Sequence, residues 1–180
     1  MPCINIGEII AKSCFVYNNE MKNNKTKQNT IEIINTLKEK TQTITFAESC
    51  TGGRIASTFT AISGASSVLM GSAVTYANEI KSQWLGVKEK TLIDHGAVSS
   101  ECVHEMLKGI LKMASADYAI AVSGIAGPTG GTPDKPVGTV YIGIETPKEK
   151  IVQLHLFKGD RESVQTQATD TAIELLKNNL

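Results

Sequence analysis

The sequence lacks most features that mark nucleic-acid-binding, membrane and disulfide-rich secreted proteins. Eighteen basic and eighteen acidic residues give a formal net charge of zero, so no overall field draws the chain to nucleic acid or to an anionic membrane. No apolar run approaches the roughly 18 to 20 residues of a membrane-spanning helix. The four cysteines form no CxxC pair and are too sparse for a disulfide scaffold. We therefore expect a cytoplasmic protein with reduced thiols, which binds neither nucleic acid nor a membrane.

The common nucleotide and metal motifs are also missing. The chain contains no GxxxxGK[ST] and no GxGxxG, so the sequence gives no support to ATP or NAD binding through those turns. Cys102 and His104 lie two residues apart on one predicted helix and point to different sides, which argues against a metal site. Nothing in the sequence favours a Ser-His-acid triad. Any ligand must therefore be held by local groups.

Composition divides the chain into two parts. Residues 18–29 are almost purely polar, with one apolar side chain in twelve, too few to offset the entropy of ordering them. We expect a disordered link there, so that residues 1–29 form a weakly attached N-terminal extension. Residues 30–180 have a suitable length for one compact domain.

Within that domain, helical and strand patterns alternate. Apolar residues of 31–37 recur on one helical face, 43–47 alternates as a strand does, and a short helix follows the Gly52-Gly53 pair. Further strands are predicted at 68–77, 118–122, 137–145 and 151–157, and helices at 78–86, before Gly96, after a Ser99 cap and from 161 onward. The last two strands are close enough for an antiparallel hairpin. The pattern predicts a single layered α/β/α domain with a mixed, partly parallel sheet.

Two glycine- and hydroxyl-rich turns, 49–53 and 123–133, follow predicted strands. Ligands in open α/β sheets collect beyond the carboxyl ends of strands, where helix N-termini offer unpaired N–H groups. Such turns are also common loop material that binds nothing. From the residues alone, both interpretations stay open.

Three cationic side chains bear on this choice. The chain has only two arginines, Arg54 and Arg161, and the planar guanidinium suits either a phosphate clamp or a surface salt bridge. If Asn78 is an N-cap, Lys81 lies in a first helical turn, where the dipole disfavours a cation and lowers its pKa. Lys81 is then either a proton acceptor or a solvated lysine. The neighbouring Tyr76 either hydrogen-bonds the same amine or packs as a half-buried ring.

Two long segments resemble the signatures of the CinA C-terminal domain family. They are Phe46-Ala-Glu-Ser-Cys-Thr-Gly-Gly53 and Ser123-Gly-Ile-Ala-Gly-Pro-Thr-Gly-Gly-Thr-Pro-Asp-Lys-Pro-Val-Gly-Thr-Val140. Thr75-Tyr76-Ala77-Asn78 with Lys81 adds to the resemblance, which runs from about Thr30 to Leu180. It implies an α/β fold, no metal or organic cofactor, and a homo-oligomer, by default a dimer.

The same resemblance implies hydrolysis of nicotinamide mononucleotide to nicotinic acid mononucleotide and ammonia, a step of pyridine nucleotide recycling (NAD salvage). Ser49 matches the family's catalytic serine, and Tyr76 and Lys81 match its tyrosine and lysine. The predicted substrate-binding residues are Cys50, Thr51, Gly52, Gly53, Ser123, Gly124, Gly127 and Arg161.

The expected mechanism has neutral Lys81, assisted by Tyr76, accept the proton of Ser49, which attacks the carboxamide carbon. N–H groups around residues 51–53 are expected to stabilise the oxyanion. Two variants stay open: Ser49 orients a water that Lys81 activates, or Cys50 is the nucleophile. A different class of function also stays open, a non-catalytic nucleotide-binding protein that acts through partners in competence or the DNA damage response.

Overall fold

A computed structural model describes residues 24–180 of the chain. It contains six α-helices, one short 3-10 turn and five strands. The helices are α1 (24–39), α2 (Arg54–Thr60), α3 (Asn78–Leu85), α4 (Glu89–Asp94), α5 (Ser100–Ala114) and α6 (Arg161–Lys177). The strands are β1 (Ile44–Glu48), β2 (Leu69–Val74), β3 (Tyr118–Gly124), β4 (Thr139–Glu145) and β5 (Lys150–Leu156), and the 3-10 turn spans Ala65–Ser67.

The five strands form one mixed sheet in the order β2-β1-β3-β4-β5. β1 pairs in parallel with both β2 and β3, whereas β3-β4 and β4-β5 are antiparallel. The mixed sheet and the β4-β5 hairpin confirm the prediction. Because β2, β1 and β3 run in the same direction, the residues that follow β1 and β2 and the end of β3 meet at one edge of the sheet.

Helices cover both faces of the sheet, which confirms the layered α/β/α arrangement. α1, α2 and α6 pack on one face against large side chains such as Phe46, Ile120 and Ile142. α3 and α5 pack on the other face, where Ala47, Ala121 and other small residues let the helices approach closely. The strand period of two sends neighbouring residues to opposite layers. Along residues 24–180, no helix is both long and apolar enough to cross a membrane.

Helix ends follow the sequence in most places. The predicted Ser99 cap is confirmed, since its side chain accepts the Cys102 N–H at the start of α5. Asn78 as an N-cap was wrong: Ala77 occupies the cap position, and no side chain caps α3. Lys81 nevertheless remains at the start of this helix, where its backbone N–H donates to the Ala77 carbonyl at 3.1 Å.

The structure corrects the predicted start of the ordered domain. Residues 24–29, expected to be disordered, form the beginning of α1. Lysine and glutamine have good helix propensity, and two side chains of this segment reach α6: Lys25 pairs with Glu174 at 2.6 Å and the Thr26 hydroxyl donates to Asp170 at 2.8 Å. The rest of the predicted link and the preceding extension lie outside the described residues.

Candidate active site

Ser49 opens a tight turn between β1 and α2. Its N–H donates to the Val122 carbonyl at 3.0 Å, which extends the pairing of β1 with β3 by one residue, and its own carbonyl accepts the Gly52 N–H at 3.1 Å. Gly52 and Gly53 have φ values of 62° and 96°, a left-handed region that other residues rarely adopt. The glycine pair therefore lets the chain reverse within four residues, and it leaves Ser49 at the end of the strand, 8% exposed.

The Lys81 amine lies against the Ser49 hydroxyl, and this contact defines the site. Lys81 Nζ is 3.1 Å from Ser49 Oγ, 2.7 Å from the Thr75 carbonyl oxygen and 3.3 Å from the Tyr76 carbonyl oxygen. The side chain is only 1% exposed, and desolvation lowers the pKa of its amine from the ordinary 10.5. A neutral amine has two N–H groups for the two carbonyls, which leaves its lone pair for the Ser49 hydroxyl.

Tyr76 contacts Lys81 through its backbone and Arg161 through its side chain. Of the two interpretations of Tyr76, the structure does not show the hydrogen bond to the Lys81 amine among the described residues; the Tyr76 hydroxyl instead accepts from Arg161 Nη2 at 2.7 Å. Arg161 Nη1 donates to the Gly127 carbonyl at 2.7 Å. Arg161 thus joins the end of β2, the second glycine-rich turn and the start of α6.

The two arginines are now distinguishable by position. Arg54, at the first residue of α2, lines a groove of about 450 Å³ between α1, α2 and α6 together with Ser57 and Thr169. Arg161 and Lys81 both contact Tyr76, Arg161 at its hydroxyl and Lys81 at its backbone carbonyl. Of the two arginines, Arg161 is therefore the one tied to the residues around Ser49.

Cys50 faces away from Ser49. It is 4% exposed and packs in the core layer that contains α1, α2 and α6, whereas Lys81 reaches Ser49 from α3 on the other side of the sheet. Burial raises the pKa of the Cys50 thiol to about 12, so the reactive thiolate is scarce near neutral pH. This environment disfavours Cys50 as the nucleophile.

The second turn contributes mainly through its backbone. Ser123, beside Ser49 on the neighbouring strand, is 1% exposed and donates its hydroxyl to the Ala97 carbonyl at 2.7 Å. A side chain at Gly124 would collide with Val140, since an added Cβ would lie 2.7 Å from its side chain. Gly127 has a φ of 82° and offers its carbonyl to Arg161. The described contacts connect this turn to the site through Arg161, which joins the Gly127 carbonyl to the Tyr76 hydroxyl.

The predicted oxyanion donors are partly occupied. The Gly52 N–H is bonded to the Ser49 carbonyl, and the Gly53 N–H donates to Glu48 Oε2 at 2.9 Å. Within residues 24–180, the Thr51 N–H has no hydrogen-bond acceptor in the protein. Of the three expected donors, the Thr51 N–H is therefore the one without an acceptor among the described residues, although Thr51 itself is 0% exposed.

Two residues around the turn were not predicted from the sequence. Glu48, fully buried, accepts from three backbone N–H groups of residues 53–56. Gln165 on α6 donates to the Cys50 carbonyl at 2.7 Å. The signal for Glu48 is a carboxylate at the end of a largely apolar strand, shortly before a helix whose N-cap position is a glycine without a capping side chain. No comparable signal marks Gln165.

This geometry defines a class of protein. It is a three-layer α/β/α domain with a buried serine-lysine pair at the carboxyl edge of its sheet. Residues 26–180 match the CinA C-terminal domain family, and the chain belongs to that family. It is 50% identical over 141 residues to the nicotinamide-nucleotide amidohydrolase PncC of Escherichia coli K12, covering 78% of this chain and 86% of that protein.

Other relatives include longer proteins. The CinA-like protein of Thermotoga maritima is 47% identical over 148 residues, which are 82% of this chain but 36% of that protein; the chain therefore spans about a third of such relatives. The crystal structure of the competence damage-inducible protein A from Klebsiella pneumoniae superposes with a TM-score of 0.82 at 38% identity, covering 85% of this chain and 95% of that one.

Proposed function

We propose that this protein hydrolyses the carboxamide of nicotinamide mononucleotide to nicotinic acid mononucleotide and ammonia. The observation that carries the proposal is the buried contact of 3.1 Å between Lys81 Nζ and Ser49 Oγ. A serine beside a lysine of lowered pKa is an activated nucleophile with its own base. The Escherichia coli relative that is 50% identical to this chain is named a nicotinamide-nucleotide amidohydrolase, and that name supports the choice of a nicotinamide nucleotide as substrate.

In the proposed reaction, the lone pair of Lys81 accepts the Ser49 proton while Ser49 Oγ bonds to the carboxamide carbon. The tetrahedral intermediate then expels ammonia, which takes that proton from Lys81. Water attacks the resulting ester with Lys81 again as base, and the proton returns to Ser49 Oγ as the acid leaves. The two backbone carbonyls hold the amine in place throughout.

In this proposal the oxyanion is stabilised by the unpaired Thr51 N–H, and the turn must open slightly on substrate binding to expose it, because Thr51 is 0% exposed. One such donor is typically worth about 3 kcal/mol in the transition state. The pyridinium of the substrate carries a positive charge and withdraws electrons from its carboxamide, so the carbon is already activated towards attack. Arg161 would hold the phosphate, because a guanidinium matches phosphate geometry, with Tyr76 fixing the orientation of the guanidinium.

The first test is incubation with nicotinamide mononucleotide and measurement of both products. Ammonia and nicotinic acid mononucleotide should form in equal amounts with the wild type and with Cys50→Ala, and should not form with folded Ser49→Ala. Tight binding without ammonia release would contradict the proposal and favour the non-catalytic nucleotide-binding function. Loss of turnover in Cys50→Ala alone would move the nucleophile to the cysteine.

A second test separates a serine nucleophile from a serine that orients water. Rapid acid quenching during turnover, followed by mass spectrometry of peptides, should find Ser49 carrying the substrate mass less ammonia. Ser49→Thr is a useful comparison, because it keeps a hydroxyl but crowds the attack. If turnover proceeds and no adduct forms at any quench time, including with slow substrate analogues, the water mechanism replaces the covalent one.

A further inference from the structure

The carboxylate of Glu48 is buried at the end of β1 without an ionic partner among residues 24–180. It is 0% exposed, and every described contact is a hydrogen-bond donor. The N–H groups of Gly53, Ile55 and Ala56 lie at 2.9, 3.2 and 2.9 Å, and the Ser72 hydroxyl lies at 3.5 Å. A charge this deep requires several such donors to offset its desolvation.

The three backbone donors come from the start of α2, which has no side-chain cap of its own. Gly53 occupies the cap position without a side chain, and the first turn contains no acidic residue. The first N–H groups of a helix have no partners within the helix and attract negative charge. The Glu48 carboxylate supplies both the acceptors for these N–H groups and the negative charge at the helix N-terminus. It therefore occupies the position that an external anion would otherwise take.

These hydrogen bonds join the two ends of the turn that contains Ser49. The residue before Ser49 binds the residues at the far end of the turn, and Gln165 fixes the Cys50 carbonyl between them. Along the strand, Glu48 points to the α2 layer and Ser49 to the α3 layer, where Lys81 lies. Movement of α2 relative to β1 would therefore shift Ser49 against Lys81.

We propose that Glu48 is a positioning residue, which anchors the start of α2 to β1 and thereby sets the Ser49 hydroxyl at the Lys81 amine. Its catalytic consequence rests on the proposed amide hydrolysis. The same contacts keep the N–H groups of α2 from binding the phosphate of the substrate. That phosphate is left to other groups, such as Arg161.

Glu48→Gln tests the proposal with little change of shape. The amide has one oxygen for three backbone donors, and its NH2 group faces N–H groups instead of accepting from them. We expect kcat to fall by about 10- to 100-fold, as misplacements on the order of 1 Å do, with KM changed less than about twofold because Glu48 does not touch substrate. The pH midpoint of the rate should not move, since Lys81 keeps its contacts.

Glu105→Gln is the matched control. The Glu105 carboxylate also accepts a backbone N–H and a hydroxyl near the start of a helix, from Lys88 at 2.8 Å and Thr91 at 3.0 Å, but that helix is α4. Loss of these contacts should weaken the fold without lowering kcat. A decrease of kcat in both variants in proportion to lost stability would contradict a special role of Glu48.

Amide hydrogen exchange gives a readout that does not depend on turnover. In Glu48→Gln the amides of Gly53, Ile55 and Ala56 should lose protection, while those of β3 stay protected. Unchanged exchange, or unchanged kcat despite faster exchange, overturns the proposal. If the wild type releases no ammonia, the proposed hydrolysis fails, and exchange alone decides whether Glu48 fixes the turn.

Glu48→Asp covers the case in which Glu48→Gln does not fold. The shorter side chain keeps the charge and both oxygens but cannot reach all three donors in the same geometry. Faster exchange at residues 53–56 with a lowered kcat supports the proposal. Full kcat together with faster exchange overturns it.

Discussion

The buried amine of Lys81 couples the stability of the domain to pH. Desolvation lowers its pKa in the folded state below the 10.5 of a free lysine, so between these two values the unfolded chain binds more protons than the folded one. Stability then rises with pH through this window and is flat below it. Lys81→Met has no such group. We therefore compare the free energy of unfolding in urea at about pH 7 and about pH 10 for the wild type and Lys81→Met. From the lower to the higher pH, the wild type should gain stability relative to Lys81→Met. Parallel changes in both proteins would contradict the lowered pKa.

Tyr76→Phe separates two roles of the tyrosine. The variant keeps the backbone carbonyl that faces Lys81 and loses only the hydroxyl that orients Arg161. Because the proposed task of Arg161 is phosphate binding, we predict that KM will rise by about 3- to 10-fold, from loss of a hydrogen bond to a charged group at an exposed position, with kcat nearly unchanged. Tyr141→Phe, on β4, is the control. A large loss of kcat with constant KM would instead restore the tyrosine as an assistant to Lys81.

How much of the site is visible in the sequence depends on the range of each contact. The turn 49–53 is local, so strand, glycine pair and helix predict it. The Lys81-Ser49 contact joins residues 32 positions apart and depends on how α3 crosses the sheet, which no local pattern specifies. From the residues alone, Lys81 was either a proton acceptor or a solvated lysine. Only its burial and its contacts in the structure exclude the solvated lysine. Resemblance to the family supplied the pairing that spacing did not.

Among the helices, the contact of α3 with α5 sets the position of Lys81. An added Cβ at Gly109 of α5 would lie 2.0 Å from the carbonyl oxygen of Leu85, the last residue of α3. In a free helix, Gly→Ala would stabilise by about 1 kcal/mol, but overpacking typically costs about 1–3 kcal/mol. We predict that Gly109→Ala lowers both unfolding free energy and kcat, because α3 must move.

The control for this variant is Lys108→Ala, at the exposed neighbouring position of α5. It should leave stability and turnover close to wild type in the same urea and rate measurements. A Gly109→Ala protein that is more stable than wild type, with full kcat, would show that the crossing of the two helices can relax without moving Lys81.

Element boundaries show where local rules were overridden. Ser99 caps α5 as predicted, because its side chain is free to accept the Cys102 N–H. At α3 the helix starts one residue earlier than the predicted Asn78 cap would allow, since Ala77 holds the cap conformation. Residues 24–29 have too few apolar side chains to predict order, and only their contacts with α6 explain it. Tertiary contacts thus explain the order of residues 24–29, whereas nothing in the structure explains the shift of the α3 cap by one residue.

For the domain as a whole, the position of its first residue is testable by truncation. A chain of residues 24–180 keeps the contacts of Lys25 and Thr26 with α6. A chain of residues 30–180 loses them, and it also removes the Thr26 carbonyl that accepts from the fully buried Thr30 hydroxyl at 2.8 Å. We predict wild-type kcat and melting temperature for 24–180 and a lower melting temperature for 30–180. Equal melting temperatures would place the boundary of the stable domain at Thr30.

The central claim is that Ser49 and Lys81 together hydrolyse a carboxamide, and the pH profile of nicotinamide mononucleotide hydrolysis tests it most directly. The wild type should release ammonia and nicotinic acid mononucleotide in equal amounts. Its kcat/KM should fall on the acid side, with a midpoint below the 10.5 of an ordinary lysine because the base is the desolvated Lys81 amine. Folded Ser49→Ala and Lys81→Met should stay at background at every pH. Wild-type turnover by either variant, or no ammonia from a folded wild type, would contradict the account.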